Sequence, residues 1–405
     1  MPPPGGRQCA HLSPGIQAKL YRKFSNFESG TVLTQDSPGA STTPSPSNPP
    51  KEQPKLEVQT VQIAARRAGI NPNHWYAIAW ARELRAGEVM PIQVWNYKFA
   101  VYRTEGGMLG AMDDACPHKG VEMHRGKVVG ENLACRYHGW EFDSQGECQK
   151  IPYLPPTQKL PPCAVLKTYA IQEKYGIIWL FPGDRDLGEA TPLFEMPEYG
   201  DNQWFMVPVN GHFNAHFSIC NENSMDVFHG FLHEDLQGWF DPVLTKLEDS
   251  GDRIAADYRV SYKGQMAKFL GFTKDANEVT TRTISVQYRY PHYYSSLEGI
   301  SSLYLMRLPI SDQESRSFAL FFLKLSLPQW LIDPVRSPLQ RFVEKFLFQK
   351  FLDQDTEMME SEQRVYLADP DRRYVEINPA IIAVQRMIVR QYQWFLDGKT
   401  GPVTK

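Results

Sequence analysis

Cys116-Pro117-His118 is followed, sixteen residues on, by Cys135-Arg136-Tyr137-His138. Each half supplies one thiol and one imidazole. That set can hold a [2Fe–2S] pair, with the cysteines on one iron and the histidines on the other. Neutral imidazole in place of thiolate raises the reduction potential well above that of an all-cysteine cluster, which suits a one-electron relay. A structural zinc site uses the same residue types but groups its cysteines together and its histidines together. The grouping here is the other one. About 90 residues later a second set begins, with His229 and His233 four apart. On a regular helix that spacing returns the second ring to the same face one turn on. Two such imidazoles and a carboxylate from elsewhere make the donor set of an oxygen-activating non-haem iron, which leaves positions open for O2. If His233 instead packs or caps, Glu234 or Asp235 would turn inward in its place.

These residues must be carried by ordered elements. The spacing of aromatic and β-branched runs predicts short strands from about Asn71 to Asp184, among them Val94–Tyr102 and Tyr175–Phe181, bounded by Gly and Pro turns. Asn214 to Leu236 reads as one helix. Longer strands with partial alternation follow, such as Ile254–Tyr262 and Thr283–Tyr290. Phe318–Ile332, broken by Lys324 and Pro328, reads as a strand leading into a turn. Ser337–Ala368 and Pro379–Asp397 read as closing helices, the second with an early Pro and a following Gly398. The leader, residues 1–56, is rich in Pro, Ser and Thr and predicts disorder. His124 reads as a loop residue, His212 and His216 as structural, and His74-Trp75-Tyr76 as packing.

Cys116-Pro-His-Lys-Gly120 and Cys135-Arg-Tyr-His-Gly-Trp-Glu-Phe-Asp143 resemble the two cluster loops of Rieske proteins. The likeness continues through Gly146–Pro155 and Lys167–Trp179, and is similar to the branch of Rieske non-haem iron oxygenases containing pheophorbide a oxygenase and vanillate O-demethylase. It implies an α+β architecture. A Rieske [2Fe–2S] domain over residues 57–185 would precede a catalytic helix-grip domain over 186–405, a curved antiparallel sheet with helices. It implies Cys116, His118, Cys135 and His138 as cluster ligands, and His229, His233 and Asp355 as ligands of a mononuclear Fe(II). Asp355 lies in an acidic stretch similar to the family's late one, where Asp353 and Glu357 are neighbours of the same chemistry. Asp226 matches the residue that links the cluster of one subunit to the iron of the next, through His138 on one side and an iron-bound histidine on the other. Asn223 matches a position beside the iron. The family's H-x4-H spacing is H-x3-H here.

The implied activity is hydroxylation, demethylation or ring oxidation of an aromatic or tetrapyrrole-like organic molecule, with O2 and electrons from a separate reductase or ferredoxin, in a homotrimer. No ferredoxin-type cysteine motif and no dinucleotide fingerprint is present to supply those electrons within the chain. The alternative is an electron carrier that kept the cluster and has a degenerate iron site. A net charge of −3 argues against nucleic acid as a partner, and no apolar run is long enough to span a bilayer. Six cysteines in 405 residues fit a reducing compartment, the cytoplasm. A leader acting as a targeting segment would move the protein to an organelle or a membrane surface.

Overall fold

The computed structural model describes residues 60–155, 157–236, 238–269, 272–324 and 333–399. The expected disordered leader lies outside them, as does 325–332 of the Phe318–Ile332 stretch. The first ordered element is helix α1 (Val61–Arg66), ahead of the start expected near Asn71. Arg66 explains the order: its guanidinium is buried and pairs with Glu222 and Glu362 of the later half of the chain. A cation buried with two carboxylates is costly to separate from them.

The first half is a set of small antiparallel sheets. One pairs Val89–Val94, Tyr97–Arg103 and Leu109–Asp113. A second pairs Lys127–Val129, Asn132–Ala134, Glu141–Phe142 and Cys148–Lys150. A third pairs Tyr76–Trp80, Ile177–Phe181 and Ala170–Lys174. Of two runs expected as single strands, Val94–Tyr102 is interrupted by a turn and Tyr175–Phe181 begins in one. Val94 ends one strand and Tyr97 begins the next, with Trp95 at φ 55° reversing the chain. Tyr175 and Gly176, at φ 60° and 70°, make the next two-residue reversal, the geometry that matches the twist of paired strands. Tyr102, Met112, Leu133 and Phe142 form a core that also contains Cys116 and Cys135.

The second half is built on a seven-stranded antiparallel sheet. Its order is Trp204–Phe213, Ser315–Lys324, Ser301–Pro309, His292–Leu297, Thr280–Arg289, Ile254–Tyr262, Phe240–Asp249. Ile254–Tyr262 alternates buried and part-exposed residues, as a sheet with one covered face requires. Two short helices, α2 (Arg185–Ala190) and α4 (Gln265–Phe269), flank α3 (Phe217–Met225) in chain order. α5 (Arg336–Val343) runs through a π turn, Glu344–Phe348, into α6 (Gln349–Ala368), and α7 (Pro379–Leu396) closes the fold. Val384, Met387 and Ile388 of α7 share one core with Ile254, Tyr258 and Val286 of the sheet. The same core takes in Ile78 and Trp179 of the first half. The expected helix over Asn214–Leu236 is not continuous. α3 stops at Asp226, whose φ and ψ of −87° and 95° are extended, and Val227–Leu236 continues as a tighter 3₁₀ segment. The Asp226 carboxylate accepts the Phe228 N–H at 3.0 Å, a local bond that competes with helix propagation.

Candidate metal centres

The two cluster loops share one backbone device. In each, the Cys N–H bonds the carbonyl five residues on: Cys116 to Val121 and Cys135 to Trp140, both at 2.8 Å. In each, a glycine four residues after the Cys returns its N–H to the Cys carbonyl, Gly120 at 2.8 Å and Gly139 at 2.9 Å. Both glycines have positive φ, 70° and 68°, a conformation that costs an L side chain about 1–2 kcal/mol. The loops bring His118 and His138 together at 4.5 Å between ring centroids, and Trp140 stacks on His118 at 4.6 Å. His138 is exposed, while both cysteines are buried. Burial, and the adjoining Cys135 thiol, push the Cys116 thiol up to about 11 against the opposing His118 N–H. A thiol held this way gives up its proton when a metal ion supplies the charge. Nδ1 of His118 is buried with no hydrogen-bond partner among the described residues. Paired thiols, paired imidazoles and an orphaned ring nitrogen fit a [2Fe–2S] cluster.

His124, read as a loop residue, ties the first loop down: its Nδ1 meets the Asp114 carboxylate at 2.6 Å. His212 pairs with Glu314, and His216 is buried and caps α3. Neither joins a metal-type cluster.

The second centre is assembled across the chain. Nε2 of His233 lies 3.3 Å, and Nε2 of His229 3.8 Å, from Oδ1 of Asp355 on α6. His229, His233 and Asp355 are the one group of three such donors within 4.8 Å of one another among the described residues. The four cluster-loop donors do not close on one point in this way, which suits a two-metal cluster better than a single ion. The H-x3-H spacing is accommodated by the 3₁₀ segment and by His233 leaving helical geometry, at φ −103° and ψ 18°. Asp353 and Glu357 are exposed. Like Nδ1 of His118 in the first centre, Nδ1 of His229 is buried with no hydrogen-bond partner among the described residues. Burial pushes the His229 ring down, against the opposite pull of Asp355 and Asp226, and so favours the neutral imidazole that binds metal. These donors fit a mononuclear iron.

Residues beyond the three donors hold this geometry; the sequence pointed to Asn223 and Asp226 among them, but not to Gln354, Trp239 or Asn378. Gln354 meets Nδ1 of His233 at 2.8 Å, and Asn223 donates to Asp355 at 3.3 Å. Trp239 packs 5.6 Å from both histidine rings and bonds the Val227 carbonyl at 2.6 Å. It leaves no room beside Gly230, where a Cβ would stand 2.6 Å from the indole nitrogen. Asp226 is gripped by Asn378, whose Nδ2 donates to it at 2.9 Å. Oδ1 of the same Asn378 accepts from Tyr258 and caps α7. Asp226 makes no hydrogen bond to His229 or His138 among the described residues; both of its bonds fall on Oδ1. Of the three that the sequence did not point to, Asn378 carried a local signal, as an Asn directly before the Pro of a helix, and Gln354 and Trp239 carried none.

Residues 74–169 match the Rieske [2Fe-2S] domain, and residues 213–391 match the vanillate O-demethylase oxygenase C-terminal domain. The chain is 31% identical over 348 residues to the 4beta-methylsterol monooxygenase of Methylococcus capsulatus, covering 83% of this chain and 93% of that one. It is 31% identical over 188 residues to the vanillate O-demethylase oxygenase subunit of a Pseudomonas species, which is 45% of this chain and 51% of that one. Among solved structures, dicamba monooxygenase bound to dicamba superposes with a TM-score of 0.65 at 20% identity, over 80% of this chain and 98% of that one. The two domain matches, the long methylsterol alignment and the shared fold agree: this chain belongs to the Rieske non-haem iron oxygenases.

Proposed function

We propose that the chain oxygenates a bulky, largely apolar polycyclic substrate of the sterol class. In this reading Cys116, His118, Cys135 and His138 hold the [2Fe–2S] cluster, and His229, His233 and Asp355 hold the mononuclear Fe(II). The observation that carries the reading is the convergence of two imidazole nitrogens on the Asp355 carboxylate from elements more than 100 residues apart. A degenerate iron site in a mere electron carrier would have no reason to keep that convergence. The sterol class is favoured over aromatic acids and tetrapyrroles because the methylsterol relative aligns over 83% of the chain, the vanillate relative over 45%.

When bound, the iron supplies the place where O2 is activated, and the cluster supplies the electrons. The chain's own residues prepare that place. Gln354 fixes the His233 ring, Asn223 orients the Asp355 carboxylate, and Trp239 and Phe351 crowd the rings and exclude water. Ligand orientation by such neighbours sustains metal affinity.

The electron path runs between subunits of a homotrimer, from His138 of one to Asp226 of the next. Two apolar surfaces support this. The cluster end exposes Tyr137 and Tyr153, and the segments around Asp226 expose Phe231, Val375 and Ile377. Different surfaces meeting head to tail close into a ring. The second carboxylate oxygen of Asp226 is left for that contact. A separate reductase or ferredoxin delivers the electrons.

Iron analysis and turnover test the reading together. The oxygenase binds about three irons per chain and a carrier about two. With a surrogate ferredoxin and reductase, O2 uptake should follow addition of a methylsterol. Uptake driven only by aromatic acids would overturn the substrate class, and two irons per chain would overturn the enzyme reading.

A further inference from the structure

We propose that the solvent face of α5 and its π turn docks on an anionic phospholipid surface, so that the enzyme takes its substrate from a membrane. The proposal rests on the apolar-substrate reading for its purpose, but not for its evidence. No helix among the described residues is long and apolar enough to cross a membrane. A helix lying in the headgroup plane needs only one apolar face rimmed by basic residues.

This helix has two apolar faces with different fates. Leu339, Val343 and Phe348 pack onto the core beneath the sheet edge with Phe205 and Val207. Gln340 anchors the helix there through the Met206 carbonyl at 2.8 Å. The flanking face is not covered. Phe342 and Phe346 are each 55% exposed, stand 4.9 Å apart, and are joined at the helix start by Val335, 49% exposed. Large aromatic side chains paired in water on a monomer surface mark a contact region.

The charge pattern selects the occupant. From Arg336 to Lys350 the chain carries four basic residues and one acidic one, Glu344, in a protein whose net charge is −3. Arg341, Lys345 and Lys350 are exposed beside the two phenylalanines, and the Lys345 ammonium lies 6.0 Å from the Phe346 ring. Long basic side chains covering apolar rings while reaching outward fit an interface with an acyl layer below and anionic headgroups above. A second copy of the chain is a weaker fit, because the head-to-tail contact proposed above uses the Asp226 side.

The position serves the site. The π turn at Glu344–Phe348 joins the docking helix directly to α6, which carries Asp355 nine residues after Phe346. At the helical rise that is about 14 Å along the axis. The docking face and the Asp355 carboxylate therefore lie on one helical rod.

Flotation of the purified holoenzyme with vesicles tests this. With phosphatidylcholine vesicles containing about 30% phosphatidylserine the enzyme should float, less so at high salt, and little with phosphatidylcholine alone. The double variant Phe342→Ser/Phe346→Ser should lose about tenfold in bound fraction, and Lys345→Glu/Lys350→Glu should lose binding to the anionic vesicles alone. Both should keep the cluster spectrum, about three irons per chain and the oligomeric mass of the parent. Three results would overturn the proposal: no flotation of the parent enzyme, undiminished flotation of both variants, or a change of oligomeric mass showing that a second copy covers this face. Iron content is read on the same samples, so a failed docking surface is told apart from a failed oxygenase reading.

Discussion

The cluster loops and the iron site solve the same problem in opposite ways. Each cluster loop is positioned by its own backbone: a Cys N–H and a glycine N–H close a turn within five residues, and the two loops repeat the device. The iron site is positioned by side chains from distant elements. His233 relies on Gln354, Asp355 on Asn223, and Asp226 on Asn378, across 121, 132 and 152 residues respectively. Local closure makes a rigid holder whose geometry survives changes elsewhere. Long-range closure makes a holder that exists only when the whole second half has folded, and that many substitutions can loosen.

The widest separation of the two comes from removing ligands. Asp355→Ala should take iron from about three to about two per chain and abolish turnover, with the cluster absorption unchanged. Cys135→Ala should take it to about one and bleach the cluster, while the iron at the second centre stays. Metal analysis and absorption spectra check both. A Cys135 variant that also loses the mononuclear iron would show that the two centres are one folding unit after all.

Next comes the proposed link between them. Asp226→Asn keeps the side chain's size and its contacts with Phe228 and Asn378 but removes the charge. The cluster should reduce normally, and product formation should fall by about 100-fold. Stopped-flow reduction of the cluster beside single-turnover product yield measures this. Undiminished turnover would remove Asp226 from the electron path.

The same contrast explains what was legible in the sequence. The cluster loops could be read because spacing alone brings their donors together: C-x-H and C-x-x-H are complete within five residues. The histidines of the second centre were also visible, and so was the acidic stretch with Asp355. The local helix was not. A single helix over Asn214–Leu236 ignores Asp226, whose carboxylate accepts the N–H two residues on and ends α3. The hairpin inside Val94–Tyr102 was missed because its turn, Trp95-Asn96, offers one usual turn residue, Asn96, beside a Trp that takes the positive φ. Gln354 and Trp239 were invisible because their role is a tertiary contact, and Asn378 showed only as a helix cap, since one sequence carries no sign of which residues will meet. α1 was hidden until Glu222 and Glu362 were seen to claim Arg66.

A smaller effect probes one of those tertiary helpers. Asn378→Ala removes the bond to Asp226, leaves the Tyr258 hydroxyl only the Met225 carbonyl at 3.5 Å, and strips the cap of α7. Stability should fall by about 2 kcal/mol, from the weakened hydroxyl bond and the lost cap. Turnover should fall by about tenfold with iron content retained, because Asp226 is loosened rather than lost. Thermal melts and turnover rates on the same preparation check it. A variant that melts lower but turns over normally would make Asn378 a fold residue alone.

The smallest effect returns to the glycines, where the two holders differ most cleanly. At Gly120 a Cβ meets nothing within 4 Å, so Gly120→Ala costs only the positive φ, about 1 kcal/mol, and the cluster should assemble with its usual spectrum. At Gly230 the added methyl meets the Trp239 indole nitrogen and carbonyl, both at 2.6 Å. Trp239 must then move away from His229 and His233 and give up the Val227 carbonyl. Gly230→Ala should therefore weaken iron binding by about tenfold while leaving the cluster alone. Iron titration of the two variants settles the contrast: a backbone-built loop absorbs one methyl group as strain, whereas a site held by packing against Trp239 passes it on to the metal.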